Sequence, residues 1–257
     1  MQIQSLNLLQ FQNKANTSFT RKKDIVPLPN PNNYNYMPLE TTLEKQKKLN
    51  TGYESALKTA FFDKNGELSE DIKDYLDNAI FEFRTPAGPQ YMTIKEKIND
   101  SIVREADIDS EMYHATWTTD TIEEIKKDGF KPEFIKRTKF GPGFYFSPNQ
   151  AGAMDYGSAI LKARCKGRCV YMKSAYYDKM NDSDIAPRLK EYLGLNSKGY
   201  PTANIETQTA TRVLNEYCRS YLSDELGYDF AYGADRSGGA FVAHNPKAIT
   251  DIDLYKF

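Results

Sequence analysis

The chain has 257 residues, in which 34 basic and 35 acidic side chains nearly cancel. That balance gives no global attraction to nucleic acid or to an anionic membrane, and no run is long and apolar enough to span a bilayer. Three cysteines, Cys165, Cys169 and Cys218, are too few and too unevenly spaced for a secreted disulfide framework, and with no histidine near them they make no metal site.

The N-terminal stretch MQIQSLNLLQFQNK lacks the charged start and continuous apolar run of a secretory signal. The expected location is the cytoplasm, or a target cell reached without a classical signal peptide. Residues 1–38 are rich in Asn, Gln, Pro and Lys and read as a flexible leader, because the prolines of PLPNPNNYNY oppose both helix and sheet pairing. From Leu39, LETTLEKQKKLNTGYESALKTAFF shows helical spacing with a predicted interruption near Asn50, Thr51 and Gly52. SEDIKDYLDNAIFEF continues the helical pattern, with Ser69 and Asp71 as N-cap candidates. Residues 39–108 are therefore expected to form a helical region.

Over residues 109–257 the pattern changes to short apolar runs separated by Gly, Pro and charged loops, which predicts an α+β fold. The expected strands are MYHATW, GFYFS, CVYMKSA, YDFAYG, AFVAHN and DIDLYKF. One helix, TIEEIKKDG, is entered by Asp120 with Glu123 three residues on. A longer one, IETQTATRVLNEYCRSYLSDELG, carries Ala210, Val213, Leu214, Tyr217, Cys218, Tyr221 and Leu222 on one apolar stripe, which places Cys218 in the core.

Three segments carry candidate chemistry. In YHATW, strand alternation puts His114 and Thr116 on one side, and Ala115 is small enough to leave its backbone approachable. Alone, this reads more simply as a satisfied histidine on a half-buried strand. FGPGFYFSP turns through Gly141, Pro142 and Gly143 into a strand that sets Tyr145 opposite Phe144 and Phe146, and Ser147 follows. Alone, that is an ordinary turn into a core strand. QAGAMDYG reads as a short helix ending near Tyr156.

In this order and spacing the segments resemble the diphtheria-toxin and poly(ADP-ribose) polymerase class of ADP-ribosyltransferases. The matching residues are Tyr113-His114-Ala115-Thr116, a helix closing at Gly129-Phe130, Gly141-Pro142-Gly143-Phe144-Tyr145-Phe146-Ser147, and Ala153-Met154-Asp155-Tyr156. The tail LGYDFAYG and GGAFVAHNPKAI is similar to the closing strands of bacterial relatives. The resemblance covers about residues 110–257. It implies split antiparallel sheets, NAD as co-substrate with no metal, and transfer of ADP-ribose to a macromolecular acceptor, protein first and nucleic acid second, in a bacterial toxin or effector.

The resemblance also implies roles. Tyr145 and Tyr156 would flank the nicotinamide, Ala115 would hold its carboxamide through the backbone, and His114 would bond the adenosine ribose, with Thr116, Gly143 and Ser147 lining the NAD site. Lys126, Lys127, Lys131, Lys136, Arg137 and Lys139 would serve the diphosphate or form a solvated face. The family's late-strand glutamate aligns with Ala240, which leaves three readings: a transferase using another acid such as Asp235 or Glu206, an inactive NAD-binding relative, or a deliberate substitution. An RNA 2′-phosphotransferase is a further alternative, one that needs a basic set not evident on these strands. His244 is expected at the sheet edge.

Overall fold

A computed structural model describes residues 39–64, 66–131, 141–173, 183–199, 202–235 and 238–255, so the leader lies outside the described residues. The fold is α+β as expected. In chain order the elements are α1 (Leu39–Phe61), α2 (Glu70–Asn78), β1 (Phe81–Thr85), β2 (Gly88–Met92), α3 (Ile94–Ser101), β3 (Ile102–Thr116), α4 (Thr119–Asp128) and β4 (Phe144–Phe146). They continue with α5 (Gln150–Met154), β5 (Ala159–Met172), α6 (Ile185–Tyr192), α7 (Thr202–Ser220), β6 (Phe230–Asp235), β7 (Gly238–Ala243) and β8 (Ile249–Leu254).

Four local readings are corrected. Helix α1 runs through Asn50-Thr51-Gly52 without a break, since a glycine costs a helix interior only about 1 kcal/mol and Tyr53 and Leu57 anchor the following turn in the core. IFEF is strand rather than helix: Phe81 and Phe83 are buried with Glu82 and Arg84 turned outward, a period of two, and the hairpin partner is β2. Helix α4 is capped by Thr118, whose hydroxyl accepts from the Thr121 N–H, two residues before the expected Asp120. Ser69 stands at the N-cap of α2 without a side-chain cap bond.

The large sheet runs β3-β5-β6-β7-β4, with β8 also on β5. Strands β3 and β5 pair from Thr116↔Ala159 to Ile102↔Met172, far longer than MYHATW and CVYMKSA suggested. Their outer halves carry ion pairs rather than an apolar run: Arg164 to Asp109 at 2.7 Å, Lys162 to Glu111 at 3.1 Å and Arg168 to Glu105 at 3.0 Å. An isolated bridge, Tyr113↔Ser147, joins the two ends of the strand path, so the sheet curls back on itself.

The two faces of this sheet feed two cores. Cys169, Phe230, Ala243 and Phe144 pair in register and point inward; so do Tyr171, Tyr232, Phe241 and Phe146. The second row is an aromatic ladder, with Tyr171–Tyr232 and Tyr232–Phe241 centroids 5.2 and 4.8 Å apart. Each side chain of this size that is fully buried contributes roughly 2–3 kcal/mol. The opposite face, through Val170 and Ala231, joins a core made with α1, α2, α6 and α7. All seven stripe residues of the long helical segment are buried as expected, Cys218 among them, although the last two fall in a π-helical turn, Tyr221–Glu225. Burial also raises the thiols of Cys165 and Cys169 to about 12, so neither is a nucleophile at neutral pH.

Candidate functional site

The candidate site forms where β3 and β4 separate. Tyr113 exchanges both backbone bonds with Ser147, at 2.9 and 2.8 Å. Its N–H and C=O therefore point away from β5 and toward β4. Two residues on, the backbone pair of Ala115 points the same way, and continued pairing would set it against Tyr145. The ladder is not continued. The carbonyl of Tyr145 is instead taken by His114 Nδ1 at 2.7 Å. Ala115 is left half-buried with a donor and an acceptor facing the opening, and no described residue takes either group.

The same bond fixes the histidine tautomer. A ring nitrogen facing a carbonyl must carry the proton, so Nδ1–H donates and Nε2 keeps a lone pair. The imidazole sits between Phe130 and Phe146, with centroids at 5.4 and 5.5 Å. Burial there pushes its pKa below the ordinary value, outweighing the bond to Tyr145, which raises it. His114 is thus a neutral acceptor at Nε2, and Phe130, the residue after Gly129, is one wall of its slot.

Register settles which side chains share a face. Tyr145 pairs with Val242, which pairs with Ala231. Tyr145 therefore lies on the outer face of the curled sheet, the one that Val170 and Ala231 turn to the helical core, and its hydroxyl donates to Gly141 O at 2.7 Å. Ala240, half-buried and paired with Gly233, precedes Val242 by two and shares that face. His114, paired with Leu161, points to the inner face. The structure thus brings His114 and Tyr145 together through the Tyr145 backbone, with the two rings on opposite sides of the sheet.

The remaining candidates take distinct positions. The Thr116 hydroxyl is buried and donates to Thr118 O at 2.8 Å. Gly143 packs so tightly that a Cβ would lie 2.5 Å from the Ala243 carbonyl oxygen, which accounts for glycine there. Ser147 serves the bridge through its backbone. Tyr156 is 74 % exposed.

Gly157 brings the end of the α5 segment onto β3: a Cβ there would fall 2.3 Å from Thr116 O. Gly157→Ala must push that segment off the strand. The expected result is a loss of about 1–3 kcal/mol of stability, measured by denaturant unfolding.

Other expectations are settled by position. Glu206 is not at this opening: its carboxylate accepts from Tyr53 Oη and Ser197 Oγ, both at 2.6 Å, and from the Ser197 N–H at 2.9 Å, within the helical core. The side chain of Asp235 lies outside the described residues, as do Lys136, Arg137 and Lys139. Lys126 pairs with Asp253 at 3.1 Å and Lys131 with Asp128 at 2.9 Å. His244 is fully buried rather than at the edge, with Nδ1 on Pro142 O at 2.7 Å and Nε2 unpartnered. Burial lowers its pKa to about 4. It holds the glycine-proline-glycine turn against β7, a role that strand alternation alone does not reveal.

A cavity of about 200 Å³ lies elsewhere, where Lys73 and six carboxylates line the wall. Four of these acids are ion-paired, Glu70 with Lys73, Asp77 and Glu225 with Lys95, and Glu216 with Arg219, and the remaining excess of negative charge disfavours a diphosphate. Among the described residues no cluster is arranged to hold a metal ion, and no helix is long and apolar enough to cross a membrane.

No family model and no curated protein matches the chain. Among solved structures, an anti-CRISPR protein is similar at 13 % identity and a TM-score of 0.27, over 58 % of this chain and 96 % of the other. The MbcT–MbcA toxin–antitoxin complex of M. tuberculosis is similar at 11 % identity and a TM-score of 0.23, over 63 % and 88 %. Likenesses this distant carry no argument about activity, which rests on the geometry where β3 and β4 part.

Proposed function

We propose that the chain binds NAD where β3 and β4 separate and is built on the plan of a mono-ADP-ribosyltransferase acting on a macromolecule. The observation that carries this reading is the N–H and C=O of Ala115, which no described residue takes, held side by side two residues past the single Tyr113–Ser147 bridge. A buried or half-buried backbone pair without partners is costly. A primary carboxamide, with one acceptor oxygen and one donor nitrogen, satisfies both at once, and nicotinamide presents that group on a planar ring.

His114 and Tyr145 meet that opening from opposite sides of the sheet. The neutral Nε2 of His114 accepts from a ribose hydroxyl, because its tautomer is set by the Tyr145 carbonyl. Tyr145 lies on the face toward which Ala115 turns and offers an aromatic edge to the ring. Transfer breaks the bond between ribose C1′ and the pyridinium nitrogen. The electron pair leaves with nicotinamide, and the acceptor's nucleophile bonds to C1′ as it loses a proton. Holding both ends of the dinucleotide lowers this barrier by positioning. Among the described residues, the position on that face two before the cross-strand partner of Tyr145 is held by Ala240 rather than by an acid.

That alanine also favours the second reading, a chain that binds NAD or ADP-ribose without transferring it. Incubation with isotope-labelled NAD, with and without lysate, separates the two. Slow nicotinamide release and labelled acceptor support the transferase; tight binding with no release above the uncatalysed rate supports the binding protein. An RNA 2′-phosphotransferase finds no support in Lys126 and Lys131, whose charges are paired.

Ala115→Pro deletes the N–H while keeping an extended backbone. Affinity for NAD is expected to fall at least about tenfold, as the loss of one well-made hydrogen bond with its partner left unpaired implies. Isothermal calorimetry measures it, with the melting temperature as the control for folding.

A further inference from the structure

We infer that Trp117 is a stacking residue for the pyridinium ring of the dinucleotide bound at Ala115, an inference that rests on the reading above and adds a residue to it. Trp117 is the single tryptophan of the chain and is 77 % exposed. It follows directly on β3, one strand repeat beyond Ala115, which is about 7 Å along the chain. The segment that packs on this strand end, through Gly157 and Ser158, carries two more exposed apolar side chains just before them, Met154 at 51 % and Tyr156 at 74 %.

The backbone carrying the indole is held on several sides. Ser158 Oγ donates to Trp117 O at 2.7 Å. Thr116 Oγ1 donates to Thr118 O at 2.8 Å, and Gly157 lies against the Thr116 backbone. These contacts tie the turn that bears Tyr156 to the strand end that bears Trp117. A rigid backbone holding a large side chain out in water is the arrangement of a preorganised contact, because little ordering remains to be done on binding. Tryptophan is also the strongest partner for a cationic ring among the aromatic side chains.

The occupant follows from distance and charge. A carboxamide paired with Ala115 puts its ring within one ring's width of residues 116 and 117. Of the two bases in NAD, that ring is nicotinamide, electron-poor and positively charged before cleavage, and it complements the electron-rich indole.

A single tryptophan makes the test direct, because a pyridinium stacked on indole quenches its emission. Tryptophan emission is recorded during titration with NAD and, separately, with ADP-ribose, which lacks the nicotinamide; calorimetry gives both affinities independently. The expected result is saturable quenching by NAD at the calorimetric midpoint and little quenching by ADP-ribose. Trp117→Leu is expected to weaken NAD about five- to tenfold, Trp117→Phe to recover most of that loss, and both to melt like the parent, since the side chain packs little.

If NAD binds by calorimetry while emission stays constant and Trp117→Leu binds as well as the parent, the inference is overturned and the reading of the opening between β3 and β4 stands. Equal quenching by ADP-ribose overturns it as well, by placing adenine on the indole. If calorimetry shows no NAD binding, both fail together.

Discussion

Ala240→Glu is expected to raise nicotinamide release from NAD by at least about tenfold. Ala240 shares the outer face with Tyr145 and stands half-buried two residues before Val242, the cross-strand partner of Tyr145. A carboxylate here extends beside the ring whose departure leaves positive charge on the ribose, and it can also take a ribose hydroxyl. A preorganised electrostatic group of this kind typically contributes about 10²–10³ in rate, roughly 3–4 kcal/mol of barrier. Tenfold is a conservative share, because a carboxylate newly placed on β7 lacks neighbours selected to orient it. Affinity should change little, since the group acts on charge that develops during cleavage. A glutamate variant no faster than the parent in a nicotinamide-release assay would show that residue 240 does not face the reacting carbon.

Acid is expected to destabilise the protein well above the carboxylate range. His244 is fully buried and held by Pro142 O, with Nε2 unpartnered. Burial first, and then the charge of Arg219, lower its pKa to about 4, while the bond to Pro142 opposes the shift. An unfolded histidine titrates near 6.5. The unfolded chain therefore takes up a proton that the native chain resists, and stability falls as pH drops from about 6.5 toward 4. A shift of this size corresponds to about 3 kcal/mol across that window. His114, also lowered by burial, acts in the same direction. Above pH 7 both are neutral in either state and contribute no slope. Urea unfolding at several pH values measures the effect. His244→Asn keeps a donor near the position of Nδ1 without the titration, and its stability should vary much less between pH 6.5 and 4.5.

Parts of this fold were legible because they rest on one-dimensional periodicity. The stripe on α7 and the following turn follows helical spacing, and the split of Phe144 and Phe146 from Tyr145 follows strand alternation, so both could be read from residue order. The long β3–β5 ladder was not legible. Over Arg104–Glu111 it is stabilised by cross-strand ion pairs on a solvated surface, which in sequence looks like loop. IFEF reads as helix because two phenylalanines two apart at the end of a helical pattern fit either period until the partner strand is known.

The candidate site divides in the same way. That Ala115 leaves its backbone approachable was visible from its size, but that its N–H and C=O have no ladder partner depends on the single Tyr113–Ser147 bridge, a contact between residues far apart in the chain. The inner position of His114 and the burial of His244 depend on how the sheet curls, and no local pattern encodes that. Trp117 carries a signal of its own. A lone tryptophan directly after the strand that bears the candidate histidine marks either a core anchor or a contact surface, and its exposure decides for the second.

The most direct test of the central claim is a calorimetric titration with NAD of the parent chain, of His114→Ala and of Ala115→Pro. The account predicts saturable one-to-one binding by the parent and at least about tenfold weaker binding by each variant, one losing the ribose acceptor and the other the carboxamide donor. Nicotinamide alone should compete with NAD for the parent and lose that ability with Ala115→Pro. NAD binding of unchanged affinity in both variants, at melting temperatures equal to the parent's, would contradict the account and move the site away from the opening between β3 and β4.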